Sequence, residues 1–182
     1  MKRVFSIEVL AIVLLTLLAC SDKSTDPGDI SFPDPNFEAL IRAVLDMPAG
    51  DIMPEDMLAI TELDGLGRNI TDITGIEHCT NLDSLKLIRN QIADISPLSG
   101  LTNLTLLWLE SNVIADISPL AGLTNLTQLG LSVNQIADIS PLVQNTGINQ
   151  GDYVDLQENP LSDTSLNTYI PELEARGVYV FY

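Results

Sequence analysis

The sequence predicts an α/β solenoid: a right-handed coil with a parallel β-sheet on its concave face, short 3-10 turns on its convex side, a helical N-terminal cap and a helix-plus-strand C-terminal cap. Three observations predict it. Isoleucines recur 22 residues apart at Ile70, Ile92, Ile114 and Ile136. A fixed frame runs between them: Leu82, Leu85, Leu87 and Asn90; Leu104, Leu107, Leu109 and Asn112; Leu126, Leu129, Leu131 and Asn134. Residues 92–113 and 114–135 are identical at sixteen of twenty-two positions, and four of the six differences fall at 106/128, 108/130, 110/132 and 111/133. A period of this length marks supersecondary units that bury their apolar side only by stacking on the next copy.

Each element follows from the spacing. In "TLLWLES", residues 105–111, alternation turns Leu107 and Leu109 inward and Leu106, Trp108 and Glu110 outward, as a short strand requires. The asparagine after each strand turns the chain, and its amide can bond backbone groups of neighbouring coils that would otherwise be buried unpaired. Ser96 and Ser118 precede Pro97 and Pro119, a cap and first-position pair expected to open a short helical turn on the back. Ahead of the repeats, Asp34 and Pro35 begin a helix of about three turns with Phe37, Leu40, Ile41 and Val44 on one face. A second short helix is expected near Pro54, leading into a degenerate first coil at Ile60, Leu63 and Gly65. The last coil is irregular, with 25 residues from Asn134 to Asn159. An amphipathic helix through Leu166, Ile170 and Leu173 then follows, interrupted by Pro171 and ended at Gly177, and "VYVFY" adds one last strand. The expected divisions are a cap over 32–59, repeats over 60–161 and a second cap over 162–182.

The first residues have a different character. "MKRVFSIEVLAIVLLTLLAC" carries two cations and then an apolar run from Val9 to Ala19. That run is short of the roughly 20 residues a bilayer span needs but matches the core of an export signal. Residues 1–19 are therefore expected to be a signal peptide. The ending "LLAC" resembles a bacterial lipobox, which implies cleavage before Cys20 and lipidation of that cysteine; the alternative is an ordinary signal peptide or an uncleaved anchor. Residues 20–31, small, polar and bearing Pro27 and Gly28, fit a flexible tether to a membrane. Losing Lys2, Arg3 and Glu8 with the leader leaves 6 basic and 24 acidic residues, a net charge near −18. Such a balance argues against nucleic acid or anionic headgroups as ligands. Beyond Cys20 only Cys79 remains, so no disulfide forms within the mature chain and packing must stabilise it.

Residues 32–182, with the phrases "IADISPLSGLTNLTLLWLESN" and its copies, resemble bacterial leucine-rich repeat proteins of the internalin-like type with 22-residue repeats. "FPDPNFEALIRAVL" and "ENPLSDTSLNTYIPELEARG" are similar to the caps of secreted bacterial members. The resemblance implies recognition of another protein or a glycan on the concave face, with no cofactor and no catalysis. Together with the lipobox it implies an exported lipoprotein of the cell envelope, at the outer membrane or cell surface, acting as a monomer. The alternative is a structural component of an envelope assembly, held through its caps.

Outward strand positions form columns across the sheet, with neighbours about 4.8 Å apart. One holds Asp64, Lys86, Trp108, Gly130 and Asp155; a second Glu62, Ser84, Leu106, Gln128 and Tyr153; a third Leu66, Ile88, Glu110, Ser132 and Gln157. Trp108, the only tryptophan, is the expected anchor of a binding face that also takes in Lys86, Leu106, Tyr153, Ile88, Arg89, Glu110, Gln128, Asp64 and Asp155. The competing reading lays the indole over Gly130 with Lys86 on its face. Five short strands suggest a small interface, near or below about 1,200 Å² in total. The acid ladder Asp72, Asp94, Asp116 and Asp138 reads as turn-closing carboxylates, with stacked calcium ligands as the alternative. Cys79 falls at the core position of Leu101 and Leu123 and reads as an apolar filler, and His78 is the only histidine. Glu62 and Asp64, roughly 7 Å apart on one strand, have a glycosidase-like separation. An open sheet does not supply the environment that acid chemistry needs, so no enzyme is expected.

Overall fold

The computed structural model describes residues 30–182. The expected signal peptide, Cys20 and most of the expected tether lie outside them. Six three-residue strands form one parallel sheet in chain order: β1 (Glu62–Asp64), β2 (Ser84–Lys86), β3 (Leu106–Trp108), β4 (Gln128–Gly130), β5 (Tyr153–Asp155) and β6 (Tyr179–Phe181). Across β1–β4 the register is the one the 22-residue spacing requires, and it continues over longer steps of 25 and 26 residues into β5 and β6. Leu85, Leu107, Leu129, Val154 and Val180 stand opposite one another, and so do Lys86, Trp108, Gly130 and Asp155. Backs of the coils carry 3-10 turns at Ile76–His78, Ser96–Leu98 and Ser118–Gly122, as expected for the convex side.

One continuous core runs through the stack. Ile70, Ile92, Ile114 and Ile136 have no exposed surface, and the strand and turn leucines of each coil pack between them. Burying such a side chain stabilises by about 1.5–3 kcal/mol, which is what holds a coil with only three paired residues per strand. The asparagines satisfy the buried backbone. Asn112 Oδ1 accepts the Ile92 amide at 3.0 Å, while its Nδ2 donates to the carbonyls of Leu87 and Leu109. Asn134 repeats the pattern one coil on, and Asn90 and Asn159 do so at either end. The residues just before these asparagines, Arg89, Ser111, Val133 and Glu158, take left-handed backbone conformations without being glycine.

The back turns correct the expected caps. Each turn begins at the serine rather than after it, and the serine side chain caps nothing. The carboxylate two residues earlier does that work. Asp94, Asp116 and Asp138 accept the amides of Ser96, Ser118 and Ser140 at 2.8 Å, and Asp72 accepts that of Thr74. A carboxylate is the stronger acceptor, so it takes the orphan N–H and leaves the hydroxyl to bond the carboxylate.

Helix α1 (Pro35–Leu45) covers the first coil. Its cap, Asp34, is buried and bonds in two directions. Oδ1 accepts the amides of Asn36 and Phe37, and Oδ2 accepts the Thr71 amide at 2.6 Å and hydroxyl at 2.8 Å. Burial pushes this carboxyl up, but the bonds from Thr71, Phe37 and Asn36 outweigh it and hold it below the usual value. Val44 departs from expectation: Phe37, Leu40 and Ile41 are buried, but Val44 is 46% exposed and Leu45 packs partly against the core in its place. Ile30, at the end of the expected tether, is buried and donates its amide to the Ile52 carbonyl. Helix α2 (Pro54–Met57) is short, as expected.

The irregular coil carries helix α3 (Ser140–Gln144) in place of a 3-10 turn. Its extra residues are organised by Asn145, wholly buried, whose Nδ2 donates to the carbonyls of Leu120 and Leu123. Gly147 follows because a side chain there would run into the backbone of Thr124. In the second cap a π-helical segment, Ser165–Tyr169, precedes α4 (Ile170–Ala175). The wider turn relieves the clash that Pro171 would create with the preceding carbonyls. It also turns Ser165 inward and leaves Leu166 exposed, against the expected apolar face. Ser165 Oγ donates to the Ala137 carbonyl at 2.7 Å, and Arg176 donates to those of Val143 and Asn145. Gly177, left-handed, ends the helix and sends the chain into β6.

Candidate functional site: the concave face

The concave face is built by whatever the strands turn away from the core. The structure brings the expected residues together there: Asp64, Arg89, Gln128 and Tyr153 exposed, and Lys86, Ile88, Leu106, Trp108, Glu110 and Asp155 half-buried. Backbone bonds from Gly67 to Ile88, Arg89 to Glu110, Ser111 to Ser132 and Val133 to Gln157 carry the register past the strands, so the third column is continuous as well.

Lys86 Nζ lies 5.0 Å from the Trp108 ring centroid, a cation–π contact worth about 0.5–1 kcal/mol when exposed. The space over Gly130 is filled from elsewhere. A side chain at 130 would collide with the carboxylate of Glu110, which leans across from the preceding coil and buries that glycine. The Glu110 carboxylate is thus the nearest group to the point where a side chain at 130 would begin. Glu110 Oε2 is buried and has no hydrogen-bond partner among the described residues. Burial pushes this carboxyl up, its own backbone N–H pulls it partly back, and the charge of Asp155 raises it further.

Sequence reasoning passed over the end of the face. Tyr179 and Phe181 on β6 stand in register with Tyr153 and Asp155 and extend their columns. The rings of Tyr153 and Phe181 lie 5.0 Å apart at 35°. The phenol of Tyr153 is pushed up by desolvation, then by the charges of Asp155 and Glu110. The alternation in "VYVFY" was the signal that would have found these two rings.

The other candidates resolve individually. The acid ladder is engaged in its own turns, and the Ser118 amide and hydroxyl hold the Asp116 carboxyl below its usual value. Among the described residues no group of three or more His, Cys, Asp or Glu side chains is placed to hold a metal ion. Cys79 is buried, and desolvation followed by the charge of Glu77 pushes its thiol up to about 12, so it stays protonated and packs as an apolar side chain. Glu62 and Asp64 sit on the exposed face of β1, and Asp64 Oδ1 accepts the Leu66 amide.

Comparisons agree with this geometry. Residues 102–144 match the family described as Leucine Rich repeats (2 copies). Over 55 residues the chain is 44% identical to Internalin J of Listeria monocytogenes serotype 4b (strain F2365), a stretch that is 30% of this chain and 6% of that protein. A crystal structure of an internalin from Listeria monocytogenes str. 4b F2365 superposes with a TM-score of 0.57 at 31% identity, covering 82% of this chain and 56% of that one. An internalin C2 from the same strain aligns at 23% identity with a TM-score of 0.44, covering 83% of this chain and 93% of that one. The chain thus spans little more than half of the internalin it superposes on and a small fraction of Internalin J. Its fold is a leucine-rich repeat solenoid, and its repeats are similar to those of internalins.

Proposed function

We propose that the protein recognises another macromolecule, a protein or a glycan, on the concave face of its repeat sheet, and does so without catalysis. One observation carries this reading. Coils with an almost identical buried frame present entirely different outward residues in register, Lys86, Trp108, Gly130 and Asp155 in a single column. Packing imposes the frame and leaves the ribbon free, so large aromatic side chains kept half in water are spent on contact with something else. The similarity to internalin repeats supports the same reading. In this reading the leader delivers the chain to the cell envelope and lipid on Cys20 holds it at a membrane, where many copies compensate for a small face through avidity.

Trp108→Ala tests the recognition. Against envelope and host extracts the immobilised variant should fold normally and lose retained partners, with affinity falling by at least about 2 kcal/mol for any one of them. Unchanged retention contradicts the reading. Cys20→Ser should move the protein from the membrane to the soluble fraction.

A second reading is attachment to an envelope assembly through the C-terminal cap, favoured by Leu166 and Tyr182, 37% and 58% exposed. Under that reading Leu166→Ser abolishes retention and Trp108→Ala does not.

A further inference from the structure

The concave face is electrically lopsided. On the side of β2, Lys86 and Arg89 stand next to Trp108, and Lys86 already occupies its ring. From Glu110 to the last residue the chain has a single Lys or Arg, Arg176, while the face itself carries the carboxylates of Glu110 and Asp155. That guanidinium is committed to the cap, bonded to the carbonyls of Val143 and Asn145 and paired with Glu172 at 2.7 Å. The half of the face over β4–β6 therefore offers acid and aromatic surface with no base of its own.

Its arrangement is specific. Asp155 stands in one column between Gly130, which has no side chain, and Phe181, with the Tyr153–Phe181 ring pair beside it. Its Oδ1 is taken by the Gln157 amide, which orients the carboxylate. Glu110 closes the other side of the gap over Gly130, with one oxygen unpartnered. A carboxylate oxygen that is buried without a partner costs a fold stability unless something compensates it. Charge, ring faces and an oriented carboxylate together suit a planar cation: a guanidinium stacks on aromatic faces and forks onto a carboxylate, which an ammonium does not.

We propose that this half of the concave face, between Glu110, Asp155 and the Tyr153–Phe181 pair, receives an arginine side chain presented by a protein partner. The inference rests on the recognition reading above and narrows its partner to a protein with an exposed arginine. Asp155 and the rings contact the guanidinium, and Glu110 contributes field from beneath.

An octapeptide of alternating arginine and glycine, and the same peptide with citrulline or lysine in place of arginine, are titrated into the protein and followed by backbone amide NMR. The arginine peptide should shift Tyr153, Asp155 and Phe181 first and bind more tightly than either control. Asp155→Asn keeps an oxygen for the Gln157 amide and should weaken the peptide about tenfold or more. Glu174→Gln removes the same charge from exposed α4 and should change affinity less than about twofold. Glu110→Gln should raise the melting temperature at neutral pH yet weaken the peptide, a combination that a purely structural carboxylate would not give. Equal binding of the citrulline or lysine peptide, equal effects of Asp155→Asn and Glu174→Gln, or shifts centred on the acid ladder overturn the inference. A face that still loses partners through Trp108→Ala under those outcomes keeps the recognition reading and loses only the arginine.

Discussion

Asn112 and Trp108 are four residues apart on one coil, and their counterparts one coil on are Asn134 and Gly130. The first position repeats because its side chain bonds three backbone groups in two coils, none of which can reach water. The second changes because its neighbours are solvent and other outward side chains. The contrast teaches where the repeat is obligatory: at positions wired to buried backbone as much as at positions filled by leucine.

Asn112→Ala breaks the obligatory side of that contrast and should have the largest effect. It strands the Ile92 amide and the Leu87 and Leu109 carbonyls, so urea unfolding should show a loss of about 3–5 kcal/mol. Asp34→Ala comes next, at about 2–3 kcal/mol, since it removes a helix cap and the link to Thr71 together. Its effect depends on pH with a definite sign. The folded pKa is depressed, so the stabilisation is present above the unfolded value near 3.8 and is lost as pH falls through the folded value. The gap between wild type and Asp34→Ala should therefore narrow below that pH. The smallest effect sharpens the contrast from the other direction. Val133 is β-branched, exposed and held at φ 57°. Val133→Asn should stabilise by about 0.5–1 kcal/mol in the same assay, because asparagine tolerates that conformation.

Much of this was legible because the period does the work. Spacing of 22 residues placed the outward columns in register from β1 to β4, and the leucine and asparagine positions named the core and its polar wiring. What escaped depended on competition or on lean, which a period does not encode. Ser96 and Ser118 were sound caps until a carboxylate two residues earlier outbid them. Leu166 lost its inward place to Ser165 when Pro171 forced a wider turn. Asn145 was invisible because the coil that needs it breaks the repeat. On the face itself, the register set Trp108 beside Gly130, but only the lean of Glu110 decides what fills that gap.

Leu107 and Trp108 are adjacent on β3, one with no exposed surface and the other half in solvent. Equilibrium unfolding of Leu107→Ala and Trp108→Ala side by side is the most direct test of a frame separate from its ribbon. The account predicts a loss of about 2–5 kcal/mol for the leucine and no more than about 1 kcal/mol for the tryptophan. Comparable losses at the two positions would contradict it.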